Sequence, residues 1–219
     1  KERDIYLDRC DMNVAGGSMK MTGYFDARDS TNIYLSPDLQ AKGIDLDKFM
    51  VKFENFGQDY IVSDNLHGFA DCDLTGKIHI HKDLTPMIEA SELEIDLEVR
   101  EGRLDNYEPM MYLGDYFANK NLSRIRFDTL RNTFTLKDNE LAIPRMTINS
   151  TLGFMELWGT QDMGERFETE LSLKIPLSLV SRAAYSKLFK RKPEEVDPEQ
   201  EDDIIYQKED KQTTYTYVQ

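Results

Sequence analysis

Residues 91–117 read SELEIDLEVREGRLDNYEPMMYLGDYF, and the change of rhythm inside that stretch decides the fold class. Leu93, Ile95, Leu97 and Val99 alternate with Glu94, Asp96, Glu98 and Arg100. A β-strand throws successive side chains to opposite faces, so this segment has one apolar and one charged face. Such clean alternation belongs to an antiparallel sheet with one dry face and one wet one, because a parallel strand covered by helices on both sides reads as an unbroken apolar run. After Glu108 the period changes. Met110, Leu113 and Phe117 recur at i, i+3 and i+7 behind Pro109, which predicts a short amphipathic helix that folds over the dry face or caps its end.

The two-residue beat extends in both directions. Segments 4–14, 18–27 and 32–43 are strand-like, with AGG at 15–17 as the first turn. Leu46, Phe49, Met50 and Phe53 then follow Asp45, a good N-cap, and predict another short helix. Ala70, Cys72, Leu74, Ile78 and Ile80 share one parity, as do Phe167, Leu171, Leu173 and Ile175. Between these two runs, strand signals are separated by turns such as KDN (137–139) and MGE (163–165). A third helix candidate starts at Pro176 and ends in Lys190, Arg191 and Lys192, a favourable charge for a helix C-terminus. Gly23, Gly76 and Gly159 each interrupt a strand and are candidate bends.

The expected fold is mainly β: an elongated, curved antiparallel meander sheet, an open groove or half-barrel, with two or three short amphipathic helices. Residues 1–192 form one β-rich domain in this reading. Residues 193–210 are an acid-rich exposed or disordered loop, and 211–219 a further strand of the same domain.

With 219 residues, 40% of them hydrophobic, the chain can build a sizeable core. A formal net charge of -14 argues against nucleic acid as a partner, since phosphate binding needs clustered Lys and Arg, and disfavours direct docking on anionic headgroups. The longest uncharged stretches, such as 146–155, fall well short of the about 20 apolar residues of a membrane span. The opening KERDIYLDR lacks the apolar core of a signal peptide and predicts a fragment whose targeting information lies elsewhere. Cys10 and Cys72 make no disulfide scaffold, and both a bridge between them and two free thiols stay open.

No nucleophile elbow, zinc-protease motif, P-loop or dinucleotide fingerprint occurs, so the chain is expected to be non-enzymatic, with no catalytic residue, metal or cofactor. His79 and His81 share a strand face but supply only half a metal site. Glu94, Asp96 and Glu98 read as a solvated strand face. Trp158 and Tyr112 read more readily as core packing than as a ligand pocket. The apolar total is harder to place: long one-sided strands with few helices require either a second sheet or an open groove.

From Glu101-Gly102-Arg103-Leu104 through Ile125-Arg126-Phe127, TFTLKDNELAIPRMTINSTLG and the step at Gly159, the order of features resembles the C-terminal region of the AsmA-like family, the AsmA/TamB-type envelope proteins. GGSMKMTGYFD and QAKGIDLDKFM resemble its upstream segments, so the likeness covers most of 1–176; the acidic insertion and a missing N-terminal anchor depart from it. The resemblance implies a Gram-negative envelope-biogenesis module in the periplasm, part of an inner-membrane-anchored protein, whose apolar β-groove carries phospholipid acyl chains between the inner and outer membranes. The candidate groove residues are Leu93, Ile95, Leu97, Val99, Met110, Leu113, Phe117, Phe167, Leu171 and Leu173. A scaffold role, recruiting outer-membrane assembly proteins at the sheet edges, is the second reading.

Overall fold

The computed structural model describes residues 4–57, 62–111, 120–163, 169–176, 202–206 and 215–218. Ten strands pair in chain order: β1 (Asp4–Val14), β2 (Gly17–Asp26), β3 (Ile33–Asp45), β4 (Leu66–Ile80), β5 (Pro86–Asp105), β6 (Arg124–Lys137), β7 (Glu140–Ser150), β8 (Gly153–Asp162), β9 (Thr169–Pro176) and β10 (Tyr215–Val218). Every pairing is antiparallel. The result is one open meander sheet with β1 and β10 at its edges.

Register shifts bend it. They fall at Leu7/Cys10 in β1, Ala41/Ile44 in β3, His67/Phe69 and Lys77/His79 in β4, and Ile143/Met146 in β7. An extra residue in one strand locally bends and twists the pair. The three strand glycines sit beside these shifts: Gly23 opposite Leu7, Gly76 next to Lys77, and Gly159 opposite Ile143. Two of them permit close backbone approach. A Cβ at Gly76 would stand 2.2 Å from the Glu92 carbonyl oxygen, and one at Gly159 2.0 Å from that of Glu170.

One helix longer than a single turn occurs among the described residues, α1 (Leu46–Lys52), against an expectation of two or three. The Asp45 side chain caps it, accepting from the Lys48 backbone N–H at 3.2 Å. The described part of the segment around Pro109 is the helical turn Glu108–Met111; the rest of that expected helix lies outside the described residues, as does the third candidate after Pro176, which ends β9.

Buried apolar side chains concentrate at one end of the sheet. Leu46 and Phe49 of α1 pack there on a cluster of Val14, Ala41, Ile44, Ala70, Val99 and Phe127. Beside it lies a second cluster, Leu122, Ile125, Leu152, Met155 and Ile175. His67 ties the helix down, its Nδ1 against Asp47 of α1 and its Nε2 3.3 Å from the carboxylate of Asp105 on β5. Part of the acid-rich segment is also held here. Ile205 donates its backbone N–H to the Ser150 carbonyl at 2.9 Å, and Arg126 donates to the Asp202 carbonyl at 2.5 Å, so the sheet end engages residues expected to be solvated.

Candidate functional site

The pairing register assembles what single strands only suggest. Cys10 lies opposite Met21, Met21 opposite Leu39, Leu39 opposite Leu74, Leu74 opposite Ile95, and Ile95 opposite Phe134. Directly opposed residues share a face, so this is one apolar row across six strands, about 24 Å wide at about 4.8 Å per strand. All six side chains are half-buried. Neighbouring rows repeat the pattern: Met12, Met19, Ala41, Cys72 and Leu97 towards α1, and Ile5, Phe25, Leu35 and Ile78 towards the far end.

Among the described residues no second layer covers this face beyond the α1 end, and the sheet packs on no other sheet. Exposure on this face is uneven, and Leu136, opposite Leu93, is buried. Val99 is 5% exposed, whereas Ile5 reaches 65% and Leu171 43%. Among the described residues, then, α1 closes one end of the face and no layer covers the rest.

The candidate residues read from sequence divide along the same line. Leu93 and Ile95 are half-buried on the open face of β5, and Leu171 is exposed on the same face of β9. Val99 belongs to the closed core instead, Leu97 packs against that core, and Met110 and Leu173 pack against the second core cluster. Leu113, Phe117 and Phe167 lie outside the described residues. Sequence reasoning passed over Met21, Leu39, Leu74 and Phe134 as groove residues. Their alternation is visible in SMKMTGYF and TFTLK, but only the register shows that they line up with Ile95.

Cys10 and Cys72 are both free. They share the apolar face with β2 and β3 between them, about 14 Å apart at the usual strand spacing, twice the reach of a disulfide. Burial pushes the Cys72 thiol up from its ordinary value.

The opposite face is polar and internally paired. Asp73 opposes Asp96 and Asp71 opposes Glu98 across β4 and β5, and nearby cations offset the repulsion: Arg100 is 3.1 Å from Asp71, Arg131 3.5 Å from Glu98 and Lys42 3.8 Å from Asp73. Trp158 stands on this face beneath the Arg145 guanidinium, 4.0 Å from its ring centroid, rather than in the core where the sequence reading put it. The even-numbered positions of β8 point away from the apolar face, and an indole under a cation is well placed there.

Near the far end, rings form a ladder: Tyr6 on Tyr24 at 4.7 Å, Tyr24 by Tyr34 at 6.2 Å and Tyr34 by His79 at 6.3 Å. Both Tyr24 and Tyr34 donate their hydroxyls to Asp26 at 3.2 Å. Hydrogen bonds from the Arg28 side chain and backbone hold the Asp26 carboxyl well below the usual carboxylate range. Burial, together with its bond to Asp26, pushes the Tyr24 hydroxyl up to about 12.

Among the described residues no three of His, Cys, Asp or Glu converge as a metal cage, and no helix is long and apolar enough to cross a membrane. No family model, curated protein or solved structure matches this chain. The site is thus defined by its own geometry: a wide apolar surface with no convergent reactive groups.

Proposed function

We propose that this chain is a non-enzymatic envelope-biogenesis module whose apolar sheet face holds phospholipid acyl chains during transfer between membranes. The observation that carries the reading is the half-buried row from Cys10 to Phe134, a broad apolar surface over which no further layer lies among the described residues. Contiguous apolar surface of that extent on a soluble domain marks a binding site. Its width of about 24 Å exceeds the about 15 Å that the acyl chains of one leaflet occupy. Each CH2 withdrawn from water contributes about 0.8 kcal/mol, so a chain is retained with no specific contact and can slide.

The half-buried state fits such cargo better than a fixed protein partner, because Met12, Met19 and Met21 supply flexible, adaptable side chains at the groove's β1–β2 side. The resemblance to AsmA-like proteins points the same way and supplies the compartment: the periplasm, within an inner-membrane-anchored protein.

The test is native mass spectrometry with lipid extraction on the chain purified without detergent from a Gram-negative host. A stoichiometric phospholipid adduct is expected, lost in Ile95→Asp and in Met21→Asp variants that stay folded. A polypeptide adduct in its place would favour the scaffold role. Unchanged lipid retention in both folded variants would overturn the proposal.

A further inference from the structure

One ladder of the sheet is open in its middle. β6 and β7 pair at Phe127 with Ser150, and again from Thr135 with Ala142 to Lys137 with Glu140. Between these two joints the register is unchanged, yet residues 128–134 and 143–149 are not paired with each other. No other ladder of the sheet is interrupted for as long.

Two local features hold this seam apart. Pro144 has no N–H to give to a ladder, and the shift at Ile143/Met146 bends β7 where it pairs with β8. On the β6 side, the Asn132 amide takes the place of a rung. Its oxygen accepts from the Thr133 backbone N–H at 2.9 Å, and its nitrogen donates to the Pro144 carbonyl at 2.6 Å.

Asn132 is out of keeping with its row. It stands opposite Leu97 and so ends the apolar line of Met12, Met19, Ala41, Cys72 and Leu97 with a polar group. A side-chain amide carries two N–H groups, and the second one of Asn132 has no partner among the described residues. Beyond the seam the apolar face resumes with Ile143 and Leu171, on either side of Gly159. The seam is therefore a line of hydrogen-bonding groups set into an apolar surface.

Water satisfies such groups while the face is bare. A purely hydrocarbon occupant would displace that water and leave donors and carbonyls unpaired, which is costly. The occupant that fits brings hydrogen-bonding atoms to the seam and hydrocarbon to the rows beside it. Ester carbonyls are acceptors, and the groups free to meet them are the Asn132 amide and the seam's own backbone N–H groups.

We infer that the β6–β7 seam binds the glycerol-ester linkage of a diacyl lipid, whose acyl chains lie from Asn132 across the apolar rows towards β1. The five strand spacings from β6 to β1, about 24 Å, accommodate the about 15 Å of one leaflet's chains. The seam runs along the strands for about 23 Å at about 3.3 Å per residue, so it is a track and not a single point. Resting on the acyl-chain reading of this face, the site adds to it where the polar part of the lipid lies.

A titration followed by native mass spectrometry on the 219-residue chain compares two probes of equal chain length and the same phosphoethanolamine headgroup. One is a diacyl lipid, the other its dialkyl ether analogue, which lacks both carbonyls. The diacyl lipid is expected to bind at least tenfold more tightly, and amide exchange in 128–134 and 143–149 to slow only with that probe. Asn132→Asp replaces the donor by a carboxylate; in variant protein shown by circular dichroism to be folded, the preference is expected to vanish while the ether analogue stays bound. Equal binding of the two probes, protection that spares the seam, or a preference untouched in folded Asn132→Asp would overturn the inference and leave the acyl-chain reading standing. Binding of neither probe would sink both.

Discussion

The two ends of this sheet are built from the same alternating strands but reach different states. At the α1 end, Val99, Phe127, Leu152 and Ile175 are almost wholly removed from water, and Phe127 lies so close over Gly102 that a Cβ there would meet its ring at 1.9 Å. Along the rest of the face, Met21, Leu39, Leu74 and Ile95 have the same chemistry and the same period but remain half-exposed. The difference is coverage, not composition. One end is a core that stabilises the fold, and the other is an apolar surface held in shape by backbone pairing and by side-chain pairs on the polar face. A binding face of this kind needs a rigid neighbour, because a sheet of long strands without any closed core would fray.

The contrast can be broken by substitution. Phe127→Ala at the closed end is expected to cost about 3–5 kcal/mol, read as a shift in urea midpoint with unchanged slope. Gly159→Val comes next. Its Cβ collides with the Glu170 carbonyl and forces β9 away from β8, for a loss of about 1–3 kcal/mol, visible as faster amide exchange in those two strands. Ile95→Asp on the open face is expected to change stability by no more than about 1 kcal/mol, since the new carboxylate reaches water. If Ile95→Asp unfolded the chain as readily as Phe127→Ala, the two ends would be one core and the contrast would fail.

The smallest effect concerns Asp26 at the far end. Its folded carboxyl titrates below the unfolded value, so its contribution is complete above the ordinary aspartate range of about 4 and is lost as pH falls towards the folded value. Asp26→Asn should therefore lower stability at neutral pH and flatten the fall in urea midpoint between about pH 4 and pH 2. An identical acid profile in the variant would show that the tyrosine ladder, and not the carboxylate, holds β2 and β3 at this end.

Much of this was legible from local pattern. The period of two in ELEIDLEV and SMKMTGYF is a property of strand stereochemistry, and Asp45 before LDKFM is a cap that needs no tertiary partner. The glycines at 76 and 159 announced bends because a side chain has no room where backbones approach. Other features carried no local signal. Trp158 is apolar enough to read as core, yet its parity on β8 sets it beneath Arg145. The segment Asp202–Tyr206 looks purely solvated until Arg126 and Ser150 come within reach.

The sequence by itself determined the fold class, the one-sidedness of the strands, their order as a meander and the acidic polar face, because each follows from side-chain period and short turns. Tertiary structure alone decided which apolar residues form a core and which form a surface. That division depends on register and on the position of α1: the helix shields one end of the face, and no comparable shield lies over the row from Cys10 to Phe134 among the described residues. Burial is a property of what lies above a residue, and no local pattern encodes it.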